Sequence, residues 1–363
     1  MSESSPEPSR PSIAWGLLGI VAFLAVVGYL GGQKYASNLK ANANEELVNK
    51  TLRGILSSEA APDKLAEAYQ DADGDLVADE PTDAGELFDP ETIKFTYIAN
   101  TSQTGEEAAA PWKELVAALA ERLGKPVEYV VYTDTGEQLR ALREGELHIS
   151  GFSTGAALAG VNESGFIPVC TFGREDGTYG YKMKMIVAAD SKIKETADLG
   201  GKRVAFTRPR SNSGYKAPLV LLLEEHNWLP ERDYRWGFTY GHEQSIQRVA
   251  NKEVDVAAVA SDLLDGMQGR GEVAPDAIRA IYESELFPPA AVGYAHNLKP
   301  ELKEAIQEVL LGFDWSGTGL EAEWGPSGAV GFVEINYKDD WSNVRRIASA
   351  VAKARAEVDA ASN

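Results

Sequence analysis

Residues Val204 to Pro218 read VAFTRPRSNSGYKAP, and Ser211, Asn212, Ser213 and Gly214 within them are the side chains best suited to chemistry. Hydroxyls and a carboxamide offer hydrogen-bond donors on neighbouring positions, and the glycine lets backbone approach a ligand closely. A short apolar strand precedes this polar turn and an apolar helix, Leu219 to His226, follows it. The exposed amides at the start of such a helix favour an anion. Taken alone, the segment fits two roles equally well: an oxyanion cradle, or an ordinary N-cap, since Ser, Asn and Gly all cap well. Pro218 cannot donate a helical hydrogen bond, so the helix is expected to start irregularly or later than Leu219. Arg208 and Arg210 flank the turn and are read as solvated loop residues rather than as charge-assisted contacts.

The elements that must position this turn alternate. Lys94 to Ile98 is strand-like, Trp112 to Leu123 an amphipathic helix, Val127 to Tyr132 a strand, Thr135 to Glu144 a helix and His148 to Phe152 a strand. Met183 to Ala188, Arg203 to Phe206, Asp233 to Phe238, a helix around Gln244 to Asn251, and Val254 to Ala260 continue the pattern. Parallel sheets covered on both faces are expected, giving two α/β lobes with a cleft between them. Ligands in such folds bind at strand C-termini and helix N-termini. The polar turns lie there: Asn100-Thr101-Ser102, Phe152-Ser153-Thr154, Tyr181, Ser211 to Ser213, and Tyr240-Gly241-His242.

Three motifs in order carry a resemblance. They are Gly180-Tyr181 before a strand, Ser211-Asn212-Ser213-Gly214-Tyr215 with Pro218, and Gly241-His242-Glu243 followed by Val249 to Ala257. Over about residues 94 to 350 the chain resembles the phosphate, phosphite and phosphonate solute-binding proteins of ABC importers. The resemblance implies a type II periplasmic-binding-protein fold with two crossing strands, lobe 1 being 92–182 with 287–355 and lobe 2 being 183–286. It also implies an ABC permease and its ATPase as partners, and binding by hinged closure rather than catalysis.

The family's Ser-Thr-Ser-Gly loop falls on Ser211, Asn212, Ser213 and Gly214, where a carboxamide replaces one hydroxyl. Its cleft histidine falls on His242 and its crossing tyrosine on Tyr181. A second cleft tyrosine falls on Phe152, which keeps an aromatic wall without the phenolic donor; Ser153 or Thr154 is expected to compensate. Members that bind an aminoalkyl ligand set two acids against the ammonium. Here those positions are Asp262 and Ala290, so a ligand without a required amine is expected: phosphite, methylphosphonate, phosphate or a similar small oxyanion.

Composition bounds the alternatives. The 363 residues carry a net charge of −20, which argues against nucleic acid, because phosphate neutralisation needs clustered Lys and Arg. Much of the excess is local: residues 41 to 91 hold 14 Asp or Glu against Lys50, Arg53 and Lys64, a net of −11. Local dipoles act at contact while distant charges are screened, so an anion site further along is compatible with this. The single Cys170 excludes an intrachain disulfide and a thiolate metal cluster, and its apolar setting reads as core. No G-x-S-x-G elbow accompanies the serines and no triad acid is evident, which disfavours a serine hydrolase. A tethered ligand sensor on the same fold is the competing reading. Trp315, Trp324 and Trp341 read as lobe packing rather than a ligand cage.

The amino-terminal part is distinct. After a tail of residues 1–12, Ile13 to Gly32 is a 20-residue run without charge, long enough to cross a hydrocarbon core of about 30 Å, and is read as an uncleaved anchor rather than a removed signal. Arg10 before it and Lys34 and Lys40 after it do not fix orientation. An extracytoplasmic remainder is the expectation. Residues 33–70 read as a helical stalk. Residues 71–91 are an Asp-rich loop or linker in which Asp71, Asp73, Asp75 and Asp79, continuing to Asp83, resemble the calcium loops of thrombospondin type 3 repeats and dockerins. Leu76 stands where those loops have glycine, and Thr82 where an EF-hand has its bidentate Glu. No cofactor is required by the binding reading, and a structural calcium ion is the expectation for this loop, against an acidic solvated linker.

Overall fold

The computed structural model describes residues 64–99 and 105–360. The Ile13 to Gly32 segment, most of the 33–70 stalk and Thr101 lie outside them. No helix among the described residues is long and apolar enough to cross a membrane.

Eleven strands form two sheets. The first takes β1 (Ile93–Thr96), β2 (Val127–Tyr129), β3 (Ile149–Phe152) and β4 (Phe166–Gly173). The chain then crosses to a second sheet of β5 (Tyr181–Ala188), β6 (Arg203–Phe206), β7 (Arg235–Phe238), β8 (Val256–Ala260) and β9 (Ile278–Phe287). It returns as β10 (Ala291–Ala295) and β11 (Gly331–Glu334) to complete the first. The strand orders are β11-β4-β10-β3-β1-β2 and β7-β6-β8-β5-β9.

The sheets are mixed rather than parallel, which corrects the sequence expectation. β1 runs parallel to β2 and β3, and β6 to β7 and β8. The strand that follows each crossing runs the other way: β10 is antiparallel to β3 and β4, and β5 to β8 and β9. The cause is connectivity. A chain that leaves one lobe and later returns beside its exit lays the first strand after each crossing against the local βαβ direction. The crossings themselves, 174–180 and 288–290, are brief.

One apolar cluster runs through both lobes, and a smaller one, with Ile186, Ile246 and Val259, lies within lobe 2. In the first, Trp112, Phe172, Trp315, Trp324 and Phe332 pack ring on ring, with Phe172 5.4 Å from Trp315 and 4.9 Å from Trp324 between centroids. Such offset and edge contacts are the favourable aromatic geometries. Trp315 and Trp341 are buried, as lobe packing requires. Cys170 is buried and its thiol lies against the Val292 carbonyl, where burial pushes its pKa up and leaves it inert.

Residues 64–91 differ from both the stalk and the linker expected of them. Residues 64–70 form no helix. Instead the Ala66 amide donates to the Asn162 carbonyl at 2.8 Å, and the Tyr69 ring meets His296 edge-on. Further on, Glu80 pairs with Lys303, Asp89 with Lys125 and Lys299, and Phe88 bridges to Leu298. Lobe 1 offers partners for the backbone of this segment, and Leu65 packs against its core. The segment is a strap on lobe 1.

Candidate functional site

The Ser-Asn-Ser-Gly turn begins a helix, and it does so through a widened turn. Ser211 has extended backbone and its Oγ accepts from the Gly214 amide at 3.0 Å, so the capping expectation is met. Residues Asn212–Lys216 then form a π turn, closed by the Ala217 amide on the Asn212 carbonyl, and the α-helix runs over Ala217–His226 with Pro218 in its first turn. The helix thus starts two residues earlier than Leu219. Proline is tolerated there because its missing N–H falls among donors that have no helical partner anyway. Single π turns of this kind are frequent at functional sites.

Gly214 is required by packing: a Cβ on it would lie 1.9 Å from the Thr207 Oγ1. The cradle turn is thereby folded directly onto the end of β6, where the Thr207 amide donates to the Gly214 carbonyl at 2.9 Å. Asn212 and Ser213 are each 1% exposed. Neither end of the Asn212 carboxamide makes a regular hydrogen bond among the described residues, and the same holds for Thr207 Oγ1 and Arg210 Nη1. Capping alone does not explain this, because a cap would satisfy its polar groups rather than bury them unpaired.

His242 begins the helix His242–Ala250 and faces the cradle. Its Nδ1 accepts from the Ala260 amide at 3.1 Å, so in the neutral ring the proton sits on Nε2, 3.5 Å from Ser211 Oγ. Burial lowers the imidazole pKa to about 4, with the nearby Arg208 charge adding to this. His242 is therefore a neutral Nε2–H donor at ordinary pH. Ser211, already accepting from Gly214, keeps its own proton to donate.

Tyr181 opens β5 at the first crossing, with Asn212 and Ser213 beside its hydroxyl. Burial raises that phenol to about 12. Thr154 Oγ1 lies 3.0 Å from the Tyr181 hydroxyl and 2.8 Å from the Pro288 carbonyl. A carbonyl only accepts, so threonine donates to Pro288 and takes the tyrosine proton. Thr154 is tied to the site in this way, and the Ser153 carbonyl accepts from the Ala157 amide in the first turn of the next helix.

Phe152 does not stand as a wall beside the cradle. It is 1% exposed and packs inside lobe 1 against Phe166, 4.9 Å between centroids, and against Gly160. Both faces of β3 are covered, so its alternating side chains are enclosed on either side. Asp262 lies in the first turn of the helix Ser261–Gly269, accepts from the Leu263 amide at 2.9 Å, and is pushed up to about 6 by burial. Ala290 sits in the second crossing, its carbonyl taken by Thr171.

Several residues here escaped the sequence. Gly155 lets the lobes touch: a Cβ on it would stand 2.2 Å from the Arg210 carbonyl and 2.8 Å from the Asn212 amide nitrogen. Lys216, 1% exposed, reaches the Gly155 carbonyl at 3.5 Å. Gln138 is buried and holds Ala99, Tyr97, Ser150 and Gly151 together. Arg208 is half-buried, not solvated, and bonds two backbone carbonyls. No local pattern marks these residues, because each acts on a partner far away in sequence.

The Asp-rich loop forms a separate cluster. Asp71, Asp73 and Asp75 each offer a carboxylate oxygen, all within 4.8 Å of one another. Burial raises Asp75, and repulsion from Asp73, Asp71 and Asp79 adds to it. Asp79 accepts from the Ala72 amide across the loop, whereas Asp83 caps its own turn at Gly85 and stands outside the cluster. Leu76, where the resembled loops carry glycine, has φ 70°, the left-handed backbone that glycine favours.

Comparison with known proteins agrees with this architecture. Residues 97–341 match the family model described as ABC transporter, phosphonate, periplasmic substrate-binding protein. The phosphonates-binding periplasmic protein of Escherichia coli is 24% identical over 225 residues, 61% of this chain and 66% of that protein, just under two thirds of its length. The phosphate-import protein PhnD of Mycolicibacterium smegmatis is 26% identical over 228 residues, 60% of this chain and 70% of its own. A binding protein component of an ABC phosphonate transporter from Pseudomonas aeruginosa has a similar structure, with TM-score 0.62, 19% identity and coverage of 76% and 90%. PhnD1 of Prochlorococcus marinus, solved in complex with methylphosphonate, also gives TM-score 0.62, at 15% identity and coverage of 73% and 100%. The chain belongs to the periplasmic substrate-binding protein family of ABC phosphonate transporters.

Proposed function

We propose that this protein captures a small phosphorus oxyanion, namely phosphite, an uncharged-tail phosphonate such as methylphosphonate, or phosphate, by closure of its lobes. It then presents the anion to the permease and ATPase of an ABC importer. Ile13 to Gly32 serves as an uncleaved anchor that tethers the binding lobes outside the cytoplasm. Ser211, Asn212, Ser213 and the Gly214 loop form the cradle, with Nε2 of His242 as a further donor and the Tyr181 hydroxyl, its proton given to Thr154, beside them; Thr101, outside the described residues, is proposed as a further ligand contact.

The observation that carries this reading is the Asn212 carboxamide, 1% exposed and without a regular hydrogen bond among the described residues. Leaving its amide nitrogen unmatched costs about 1–3 kcal/mol, and an oxyanion accepting from that N–H removes this part of the cost. The donors around it are neutral, so the anion is held by dipoles rather than by ion pairing. Asp262 faces a tail alone, because Ala290 occupies the place of a second acid, and one carboxyl pushed up by burial is a poor match for an ammonium. Thermal denaturation with each anion tests the proposal. A ligand at 100 times its Kd adds about 2.7 kcal/mol, a rise of about 2–4 °C for a chain of this size. Aminoethylphosphonate raising Tm more than the amine-free anions would sink the specificity argument.

The Asp71, Asp73 and Asp75 cluster favours a second, separate reading: a structural calcium ion, held with Asp79, that firms the strap on lobe 1. It takes no part in ligand capture.

A further inference from the structure

We propose that Arg208 is a latch across the cleft, a positioning residue that sets the balance between open and closed lobes. Its Nε donates to the Tyr240 carbonyl at 2.6 Å and its Nη1 to the Ala99 carbonyl at 2.7 Å. Tyr240 follows β7 in the second sheet; Ala99 follows β1 in the first. One planar guanidinium thus spans the two lobes at their strand ends, in the forked geometry that arginine holds rigidly and lysine does not.

Both carbonyls are held in place. The Ala99 amide donates to the buried Gln138 at 3.1 Å, and Gln138 in turn bonds Tyr97, Ser150 and Gly151, so the end of β1 is locked to β3. Tyr240 has φ 65°, a left-handed conformation that bulky residues rarely adopt, and its amide is tied to the Thr207 carbonyl. The strained backbone is kept where its carbonyl meets the guanidinium. Arg208 also lies three residues before Ser211, on the same loop as the cradle. Closure that seats the cradle against Gly155 therefore seats the latch as well.

The bonds to Ala99 and Tyr240 differ in kind from the cross-lobe contacts nearer the hinge. Thr154, bonded to Tyr181 and Pro288, adjoins both crossing segments, and contacts close to a hinge shift little as the lobes part. The Arg208 to Ala99 bond joins strand ends with no covalent connection nearby, so it breaks on opening. A charged hydrogen bond of this sort changes a two-state balance by about 10-fold.

The test uses the ligand-free full chain and therefore does not depend on which anion binds. Spin labels on Glu121→Cys and Lys194→Cys, one exposed site in each lobe, report the interlobe distance; Cys170 is buried and escapes labelling. The expected result is a closed population in the parent that falls about 10-fold in Arg208→Gln, with the melting temperature retained. Arg208→Lys keeps the charge but not the fork and is expected to recover only part of the closed population. A closed population unchanged by Arg208→Gln, or none in the parent, overturns the latch. Full recovery by lysine also overturns it, because charge alone would then suffice. A variant that weakens binding of methylphosphonate with its closed population intact assigns Arg208 to the ligand instead, and the latch fails while the binding function stands.

Discussion

Gly155→Ala isolates the claim that the lobes meet through the cradle. The glycine has φ −79° and ψ −28°, a conformation alanine adopts freely, so the substitution introduces no backbone strain. Its effect is steric. The new methyl would stand 2.2 Å from the Arg210 carbonyl oxygen and 2.8 Å from the Asn212 nitrogen, against ordinary contact distances of about 3.5 Å. Both are backbone atoms of the opposing lobe, so no side chain can rotate aside; the cradle loop must retreat by about 1 Å or the lobes must stay apart. Overpacking of this size costs about 1–3 kcal/mol, which falls on the closed state and weakens binding by about 5- to 150-fold. Titration calorimetry with any anion the parent binds reads the loss, and the melting temperature of the ligand-free protein is expected to change little. An alanine variant that binds as tightly as its parent would falsify the contact between Gly155 and the cradle.

Other outcomes follow from the same geometry. Replacing Ser211 and Ser213 together with alanine removes two donors to a charged ligand, so binding should weaken by about 100-fold or more, and equal affinity for parent and double variant rules out the cradle. His242 and His148 both have pKa values lowered to about 4 by burial, against about 6.5 when unfolded. Their contribution to stability is full above pH 6.5 and lost as pH falls towards 4, because the unfolded chain takes up protons that the folded chain refuses. Urea midpoints should therefore drop across that window, and His242→Asn should flatten the drop; a pH-independent midpoint contradicts the assignment. Calcium at 100 times its Kd should slow proteolysis within residues 64–91 by about 100-fold, since cleavage follows local opening. Asp73→Asn should abolish the effect, and insensitivity of the parent to chelation removes the calcium reading.

Much of the architecture could be read in the chain because its signals are local. β6 was expected over Arg203 to Phe206 and is found there, since a short apolar run between polar turns admits little else. The family likeness was carried by the Ser-Asn-Ser-Gly turn, His242 and Tyr181, and these three converge in space. What could not be read depends on the partner. Phe152 looks like a cleft aromatic until Phe166 and Gly160 supply the packing that encloses it. Arg208 looks solvated until Ala99, over a hundred residues earlier, supplies the carbonyl. The strap looked like a stalk because its charge pattern is that of a linker, and Lys125, Lys299, Lys303 and Lys338 are what its acids and carbonyls meet. The antiparallel β10 is as apolar as the parallel strands of its sheet, so its direction could not be read from composition.

The central claim is capture of a small oxyanion by the Ser211–Gly214 cradle, and titration calorimetry of the full chain against phosphite, methylphosphonate, phosphate and aminoethylphosphonate tests it most directly. Saturable binding of at least one amine-free anion, tighter than that of aminoethylphosphonate, is the predicted result. A folded protein that gives no heat with any of the four contradicts it.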